Sequence, residues 1–529
     1  MDRLFWGVVL RTAQSALQGA PFIFTGLIIA AVFHRLMGHA ATRKMFGSNS
    51  LSSLVQSWVI GMILPGCSLG VIPIVKQLRR SGIAVGTIFA FALSSPLFDP
   101  MSLLYGLTLS KPETIIAFAA CSLVVVMVCG GLFDRWYPDT EVHEPEPPAT
   151  PHGIRRILAV LVVMMRESVS GTAALIGLGL LGAGLLSLVL PAGSLQRTMA
   201  HDNPWSPLLM TVIALPAYAT PMTAMGQLGS MFQHGNSIGA AFILLTFGAG
   251  MNIGLVAWMW SCYGGRKTAV WFGLMLAFVI AFSYGIERPL YPREIEPADH
   301  THAFDRYCQP FLVGFPPPQG YAAEVWKRVQ EEAQPHEVIG ALFLALLAIG
   351  GGVLRFADPG LRLEAWLARP VVEAERSAER WDIVLPGPVL ALASLGVIVG
   401  FSILGCFAYY PAADESLEEL RLTNSEATSG AMGEDGTPAE HWIPVCQSWN
   451  RRLLVGLYLR RGQVSEYVRV KSRIYRDQLE ILEHMVEDKA PREERRHQAL
   501  VAQRAYGNLS KSIRETTAPA ANEMTNNPD

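Results

Sequence analysis

The stretch that decides the fold is PGCSLGVIPIVKQLRRSGIAVGTIFAFALSSPLFDPMS, residues 65–102. It begins with a proline that stops a short apolar segment, 51–64, and it ends in an apolar run in which Asp99 stands between Pro96 and Pro100. A helix broken by proline at membrane depth persists only where protein or a cavity satisfies the freed backbone groups. The stretch therefore predicts a broken helix in a membrane protein, with a kinked full-length helix as the alternative.

The same pattern recurs 153 residues later, in PAYATPMTAMGQLGSMFQHGNSIGAAFILLTFGAGMNIG, residues 216–254. A second short apolar segment, 205–215, stops at Pro216. The shift pairs special residues with one another: Gly82 with Gly235, Gly86 with Gly239, Phe89 with Phe242, and Asp99 with Asn252. Broken hydrophobic segments at matching points of two halves are typical of transporters with a central site. The sequence thus predicts two related repeats.

Composition places the chain in the membrane class and excludes others. Of its 529 residues, 51% are hydrophobic and only 16% are charged, against roughly 25% charged residues in soluble domains. A net charge of −2 offers no basic field to hold nucleic acid. The seven cysteines show neither CxxC nor close repeat spacing, so they indicate no disulfide framework and no zinc ribbon.

Several apolar stretches are long enough to cross the roughly 30 Å of a bilayer core. They are 17–37, 82–107, 113–133, 169–190, 236–260, 266–286, 337–355 and 386–410. Together with the half-spans 51–64 and 205–215, they predict an all-α polytopic membrane protein with about 8–10 transmembrane segments.

Polar segments divide the chain into domains. We predict a first repeat over 1–133, an acidic proline-rich linker over 134–153, a second repeat over 154–286, an extramembrane loop over 287–336, two additional transmembrane helices over 337–410, a flexible linker over 411–446, a soluble helical module over 447–515 and a disordered tail over 516–529. The linkers follow from polar, acidic and Pro- or Gly-containing composition. The module follows from apolar residues at helical spacing among arginines and glutamates.

Asp99 is the most informative single residue. An aspartate at mid-membrane costs roughly 2.5–3.5 kcal/mol on insertion scales, a cost normally tolerated for pairing, ion passage or proton relay. The alternative is a turn at the interface, in which a solvated Asp99 caps a helix. The neutral Asn252 at the matching position favours a shared site.

Cys67, at the first break, is a candidate ligand for a thiophilic metal or metalloid, or alternatively a small packed core residue. Lys76, Arg79 and Arg80 either extend to the membrane interface or line a positive vestibule for an anionic substrate. The His, Asp and Cys residues of 299–308 match no zinc spacing, so that segment is read as a solvated loop rather than a metal site.

No catalytic motif accompanies these features. The sequence contains no Walker A, HExxH or GxSxG pattern, and Cys67 has no base nearby in sequence to activate it as a nucleophile. We therefore predict that the chain is not an enzyme and needs no cofactor, and that any transport is secondary or relies on a partner.

The signature residues carry a family resemblance. Cys67-Ser68-Leu69-Gly70-Val71-Ile72-Pro73, with the glycines and prolines that follow, resembles the first signature of the two-repeat predicted permeases of the YraQ type, which commonly reads CSCGVIP. The segment from Pro216 to Asn252 is similar to the second signature, and Met165-Arg166-Glu167-Ser168 resembles the segment that opens the second half. The resemblance covers about 1–290.

This resemblance implies export of a metal or metalloid species across a bacterial inner membrane, because the family includes organoarsenical efflux permeases and permeases assigned to copper or zinc efflux. It implies Cys67 as a thiol contact. The sequence departs from the pattern at Leu69, which replaces a second cysteine, and at Thr220, where a cysteine is common.

Two sets of residues follow for the two repeats. We expect the substrate pathway to be lined by Cys67, Ser68, Asp99, Tyr218, Thr220, Thr223 and Asn252. We expect the helix breaks and close packing to depend on Pro65, Gly70, Pro73, Gly82, Gly86, Pro96, Pro100, Pro216, Pro221, Gly235 and Gly239.

The expected partners are the lipid bilayer, a small-molecule or ion substrate, and a protein that contacts the C-terminal module. The alternative function is a membrane-anchored scaffold, in which the helices of 447–515 bind a partner protein. Arginines make 355–385 the most basic short loop, which the positive-inside rule places in the cytoplasm, with 287–336 on the other side.

Overall fold

The computed structural model describes residues 2–47, 50–109, 112–138, 142, 144–147, 153–191, 193–291, 302–311, 314, 317–369, 385–434 and 436–517. Their regular structure is helical, and the one β pairing among them is an isolated bridge between Ala200 and Asn236. The chain divides into two compact units, the first comprising Met1–Gly106 and Ser110–Ser402 and the second comprising Leu107–Leu109 and the chain from Ile403 onward. The prediction of an all-α polytopic protein is confirmed.

The first half begins with a long helix and continues through short ones. Its helices are α1 Asp2–Val32, α2 Gly38–Phe46, α3 Leu51–Ile63, α4 Val71–Arg80, α5 Val85–Ser94, α6 Pro100–Leu109 and α7 Pro112–Trp136. A π-helical turn, Phe33–Met37, joins α1 to α2.

The second half repeats the short helices in the same order. Its helices are α8 Ile154–Ser168, α9 Gly171–Val189, α10 Ser194–Thr198, α11 Ser206–Ala214, α12 Pro221–Gln233, α13 Ile238–Ile243, α14 Ile253–Tyr263 and α15 Gly265–Leu290. A π-helical turn, Leu244–Ala249, extends α13.

The structure bears out the repeat helix by helix. Three consecutive helices of the second half begin 153 residues after their counterparts: α13 after α5, α14 after α6, and α15 after α7. The packing repeats as well, because α3, α5 and α7 contact one another, as do α11, α13 and α15. The equivalence that the sequence suggested from four residue pairs therefore extends over whole helices.

Two predicted spans are broken, which corrects their reading as continuous helices. Residues 82–107 divide into α5 and α6 around a turn at 95–99. Residues 236–260 divide where α13, with its π-turn, and α14 meet at a bend of 60°. Among the described residues, six helices are long and apolar enough to span a membrane, or seven with the bent pair counted as one. This number falls below the predicted 8–10 because 82–107 and the half-spans are interrupted.

The half-spans are separate helices and not kinked long ones. Leu64 after α3 is extended, with φ −84° and ψ 121°, and seven residues separate α3 from α4. In the second half, 215–220 separates α11 from α12.

The first unit continues beyond the repeats. A 3-10 turn at His302–Tyr307 precedes α16 Tyr321–Glu332, α17 Pro335–Ala357, α18 Arg362–Leu367 and α19 Gly387–Tyr409. The extramembrane loop predicted over 287–336 thus contains a turn and a helix, and α15 extends into it as far as Leu290. Similarly, α7 takes in residues 134–136 of the linker predicted over 134–153.

The second unit is a bundle of four helices, α20 Ala413–Met432, α21 Thr437–Arg461, α22 Glu466–Glu487 and α23 Arg492–Thr517. The prediction of a flexible linker over 411–446 was wrong. Within it, α20 buries small and apolar residues at helical spacing, Leu417, Leu420, Asn424, Ala427 and Ala431. Composition alone hid this face, because a core of leucine, alanine and one hydrogen-bonded asparagine is recognised only from its 3-4 spacing. Most of the predicted tail, 518–529, lies outside the described residues.

Candidate functional site

The first break, 64–70, is a loop pressed against the backbone of α1. Cys67 Sγ accepts a hydrogen bond from Gly70 N at 3.3 Å. A Cβ added to Gly26 of α1 would lie 1.9 Å from Gly70 O, and one added to Gly70 would lie 2.4 Å from Phe22 O. Only glycine at both positions permits this backbone contact. The sequence analysis selected Gly70 for packing and missed its partner Gly26.

The second break of the first repeat, 95–99, touches the first. Ser95 Oγ donates to Leu64 O at 3.2 Å. Asp99 then caps α6, its Oδ1 accepting from Ser102 N at 2.7 Å. The residue is 2% exposed. The cap that the sequence analysis weighed as an alternative is therefore present, but it is buried in the protein and not solvated at an interface.

The second repeat builds the same arrangement. Ala219 N donates to Gly248 O at 3.3 Å, which joins its first break, 215–220, to the π-turn that ends just before its second break, 250–252. Asn252 Oδ1 accepts from Leu255 N at 2.9 Å and caps α14 as Asp99 caps α6. Thr220 caps α12, its Oγ1 accepting from Thr223 N at 3.3 Å. Asp99 and Asn252 are thus equivalent in structure as well as in sequence, and they differ in charge.

An acidic side chain at the N-terminus of α5 and of α13 belongs to this architecture and was missed. Asp134 Oδ1 accepts from Gly86 N at 2.7 Å, and Glu287 Oε2 accepts from Gly239 N at 2.6 Å. The two acids are 153 residues apart, as are the glycines. A carboxylate at a helix N-terminus is favoured by the helix dipole and by the free N–H groups. Extending the 153-residue comparison past Asn252 would have found the pair.

The breaks of the two repeats meet each other. The Cys67 thiol and the Tyr218 hydroxyl lie within interaction distance. Gly250 lies against Leu93 and Leu97, where an added Cβ would be 2.9 Å and 3.2 Å from their side chains. All four breaks therefore meet in one region, held together by contacts between halves that are distant in sequence.

One glycine of α9 completes this meeting point. A Cβ on Gly179 would lie 2.6 Å from Leu69 of the first break and 2.9 Å from Asn252 Oδ1 of the last. The sequence analysis missed Gly179, because nothing in an apolar helix rich in glycine marks one of them as a contact.

Several polar atoms in this region have no hydrogen-bond partner among the described residues. They are Ser68 Oγ, Tyr218 Oη, Thr246 Oγ1 and Asn252 Nδ2. Tyr218 Oη is near the Cys67 sulfur but forms no hydrogen bond of normal geometry with it. Buried polar groups are nearly always paired, and leaving one unpaired costs about 1–3 kcal/mol. Water or a polar solute would supply the partners that these buried groups need.

The remaining residues selected from sequence lie around the breaks. Pro65, Pro96 and Pro216 lie within them, whereas Pro100 and Pro221 are the first residues of α6 and α12. Pro73 lies in the first turn of α4, where its missing N–H costs little. Gly82 and Gly235 share a positive φ, +73° and +68°, in the turns after α4 and α12, a conformation that favours glycine.

On one side, the segment 302–311 covers this region. Arg306 Nη1 donates to Gln18 Oε1 at 2.6 Å and lies 3.3 Å from Thr223 Oγ1. Arg11 of α1 holds the same segment by donating to Asp305 O at 2.6 Å. Cys308 is buried, so the part of 299–308 that the structure describes is packed and not a solvated loop. Residues 299–301 lie outside the described residues.

On the other side, a cavity of about 540 Å³ opens beside the C-terminal part of α1, between α4, α8 and α18. Lys76 and Arg80 line it, whereas Arg79 turns away and donates to Cys262 O at 3.3 Å. Lys76 Nζ pairs with Glu167 Oε1 at 2.7 Å. Burial alone would raise the pKa of Glu167, but Lys76 holds that pKa below its usual value.

Cys67 is the residue from which the sequence analysis argued a metal site. Among the described residues, no group of three or more His, Cys, Asp or Glu side chains is placed to hold a metal ion. The Cys67 sulfur accepts a hydrogen bond from Gly70 N, and the Tyr218 hydroxyl lies near it.

Comparison with known proteins agrees with the extent of the repeats. A family model described as a predicted permease, ArsP_1, matches residues 6–287. The UPF0718 protein YcgR of Bacillus subtilis is 20% identical over 273 residues, covering 50% of this chain and 92% of that protein. A Streptococcus mutans protein named "Putative two-component membrane permease complex subunit" is 23% identical over 87 residues, covering 16% of this chain and 29% of that protein. No solved structure matches the chain significantly.

Proposed function

The chain belongs to the predicted permease family and is a membrane permease, and from that premise we propose that it exports a small solute, such as a metal or metalloid species, through the meeting point of its four helix breaks. The observation that carries the proposal is the convergence of these breaks, 64–70, 95–99, 215–220 and 250–252, with unpaired polar atoms among them. Short helices that end inside a protein offer N–H and C=O groups to a polar solute without a full charge in lipid.

Helix α1 provides the axis along which access alternates. Its 31 residues extend about 46 Å at about 1.5 Å per residue. Arg11 and Gln18 contact the covering segment 302–311, and residues 19–26 pack against Tyr218 and Gly70. Leu27, Ala30 and Ala31 line the cavity, together with His34 and Arg35 of the π-turn that follows α1. The central site is thus covered at one end and approached by a cavity at the other. Transport then requires the covering contacts to open as the cavity side closes.

The proposed direction follows from charge. Arg355, Arg362 and Arg369 lie in the loop that the positive-inside rule assigns to the cytoplasm, and Leu361, Glu364 and Ala365 of the same loop line the cavity. A solute entering from the cytoplasm reaches the central site from the cavity and leaves past segment 302–311. The absence of a Walker A sequence favours a secondary transporter.

Within the site, we assign Cys67 as the thiol contact and Asp99 as the charged group. Cys67 is fully buried at the first break, next to Tyr218 of the second repeat. A single thiol among hydroxyls gives a thiophilic solute one strong contact and allows its release. Asp99 is the one difference in charge between the two equivalent caps, which suits it to bind or relay a cation or a proton during the cycle.

The test is solute content in bacteria that lack the protein, with and without the restored gene, measured by elemental mass spectrometry after exposure to arsenic, antimony, copper or zinc compounds. We expect the wild type to lower the cell content of at least one element and Asp99→Asn to abolish the effect. The control is Glu113→Gln, at an exposed position of α7. Equal contents in cells with and without the wild-type protein would refute the proposal for these solutes.

A scaffold is the second candidate, and the bundle α20–α23 favours it. Tyr467, Ile474 and Ile481 are exposed on α22 at seven-residue spacing, typical of a helix face that contacts another helix. The discriminating experiment is expression of the bundle alone, since restoration of a deletion phenotype by the bundle would count against transport.

A further inference from the structure

The cavity beside α1 has a lining whose charges do not balance. Four cationic side chains, Arg35, Lys76, Arg80 and Arg166, face it with two anionic ones, Glu167 and Glu364, which leaves a formal charge of +2 when His34 is neutral. Cavities of this size, about 540 Å³, are in the range of small-molecule sites.

Ion pairs account for only part of the positive charge. Lys76 is paired with Glu167 at 2.7 Å, and Arg166 is paired with Glu364 at 2.7 Å and with Asp358 at 3.0 Å. Arg80 lies 3.8 Å from Glu144, and since both side chains are more than a third exposed, that pair is weak. Arg35 forms no ion pair among the described residues, but it interacts electrostatically with Glu364, so the positive charge at Arg35 and Arg80 is compensated only weakly.

The cavity lining also contains buried polar atoms without a partner among the described residues, namely the donors Gln77 Nε2 and Arg35 Nε, the ring nitrogen His34 Nδ1 and the acceptor Glu364 Oε2. Gln77 is 3% exposed and lines the cavity, and its Nε2 has no partner among the described residues. Arg35 Nε is likewise buried and without a partner. The amide N–H of Gln77 and the guanidinium N–H of Arg35 cannot form a hydrogen bond with each other, because both are donors. They are suited to an acceptor with negative charge.

We propose that this cavity binds an oxyanion, held by Arg35, Gln77 and Arg80, and that the solute of the permease therefore enters the protein as an anion. The statement that the solute enters as an anion rests on the proposed transport function. The statement that the cavity binds an oxyanion rests on the cavity alone. Arg35 gives a charge-assisted hydrogen bond, Gln77 gives a neutral one from the wall, and Arg80 adds positive charge at the rim.

The position of the cavity connects it to the pathway. Pro73 lines it and lies three residues after Gly70, the last residue of the first break. An anion bound between Arg35 and Gln77 is therefore less than two helical turns, about 9 Å along the axis, from the start of α4. An anionic lipid headgroup has the same chemistry, but a site next to the first break is placed to pass a free solute on to that break.

The test is anion binding to the purified full chain in neutral detergent. The thermal unfolding midpoint is measured against sodium arsenate and sodium sulfate, with sodium chloride at equal ionic strength as reference. We expect the unfolding midpoint to rise with the concentration of at least one oxyanion and to reach a plateau. Arg35→Gln and Gln77→Leu are each expected to weaken binding about tenfold, the loss of one good hydrogen bond to an anion. The control Arg135→Gln removes an exposed cation from α7 and leaves binding unchanged within about twofold.

Three results would overturn the proposal. The first is an unfolding midpoint that rises no more with an oxyanion than with chloride. The second is equal oxyanion binding by the wild type and both cavity variants. The third is a higher unfolding midpoint in phosphatidylglycerol nanodiscs than in phosphatidylcholine nanodiscs, without any response to soluble oxyanions. A variant whose midpoint in chloride falls sharply is replaced by Gln77→Glu, which keeps the size of the side chain and repels an anion. Oxyanion binding without transport of any solute would refute the proposed function alone. Transport without oxyanion binding would refute this inference alone.

Discussion

At the scale of single residues, Asp99 and Asn252 make the same bond with different charge. Each caps a helix through Oδ1 and the backbone N–H three residues on, and each is 2% exposed. Capping explains why a short polar side chain stands at both positions, but it does not explain a carboxylate at one of them. Burying an ionised carboxylate is costly. The charge at Asp99 is therefore a feature kept at the expense of stability.

Exchanging the two side chains tests this directly. Asp99→Asn keeps the cap and removes the buried charge, so we expect the free energy of unfolding to stay level or rise by up to about 1 kcal/mol. Asn252→Asp keeps the cap and adds a charge, and we expect a loss of about 1–3 kcal/mol. Denaturation of both purified variants measures the difference. An Asn252→Asp protein as stable as wild type would contradict the account.

At the scale of helices, the breaks exist because other backbone lies against them. Gly26 of α1 meets Gly70 of the first break, and Asp134 and Glu287 hold the N-termini of α5 and α13. The sequence predicted the breaks themselves, since Pro65 and Pro216 end apolar segments and recur in register. It could not predict which glycine of α1 faces a loop, nor that the cavity takes wall residues from α18, because such contacts join segments far apart in the chain.

Gly26→Ala tests the contact between α1 and the first break. Alanine favours a helix over glycine by up to about 1 kcal/mol, but its Cβ would lie 1.9 Å from Gly70 O. We expect a large loss of folded protein, measured by size-exclusion chromatography in detergent. In the matched control Gly177→Ala, the new Cβ has nothing within 4 Å, and the yield should hold or rise. Equal yields of the two variants would show that the contact is not tight.

Glu287→Ala tests the acidic group that holds α13. The carboxylate accepts from Gly239 N at 2.6 Å and from Ser237 Oγ at 2.7 Å, and it pairs with His201 at 2.9 Å. Its removal leaves these donors unpaired, so we expect a loss of about 2–4 kcal/mol in unfolding free energy. The exposed neighbour Arg288, replaced by alanine, is the control and should change little. A Glu287→Ala protein of wild-type stability would contradict the role of this carboxylate.

At the scale of the whole molecule, the chain joins a permease unit to a bundle with its own core. Tyr475 Oη donates to Asn424 Oδ1 at 2.9 Å within that bundle, and Cys446 is fully buried beside it. The sequence predicted a helical module only from 447, because the first helix of the bundle carries its core on small residues. The helices of the permease unit were better predicted, because long apolar segments are unambiguous. The same pattern of prolines and glycines also occurs in both halves, so each half supports the interpretation of the other.

The bundle is expected to lose stability in alkali. Burial raises the pKa of Cys446 to about 11, against about 8.5 in an unfolded chain. The folded state thus favours the protonated thiol, and the associated stability is complete below about pH 8.5 and declines as the pH rises toward 11. Urea unfolding of the bundle should show a loss of about 2 kcal/mol between pH 8.5 and 10. Cys446→Ala should flatten this decline, and an equally steep decline in the variant would contradict the assignment.

The central claim is that the buried meeting point of the four breaks is a pathway and not merely a packed core. It is tested most directly by the reaction of Cys67 with a small methanethiosulfonate reagent in native membranes, in a variant whose other cysteines are replaced. A variant that keeps only Cys129, equally buried but within α7, is the reference. The account predicts that Cys67 reacts many times faster than Cys129, because transport opens the breaks to water. Equal protection of both thiols until the protein is denatured would contradict it.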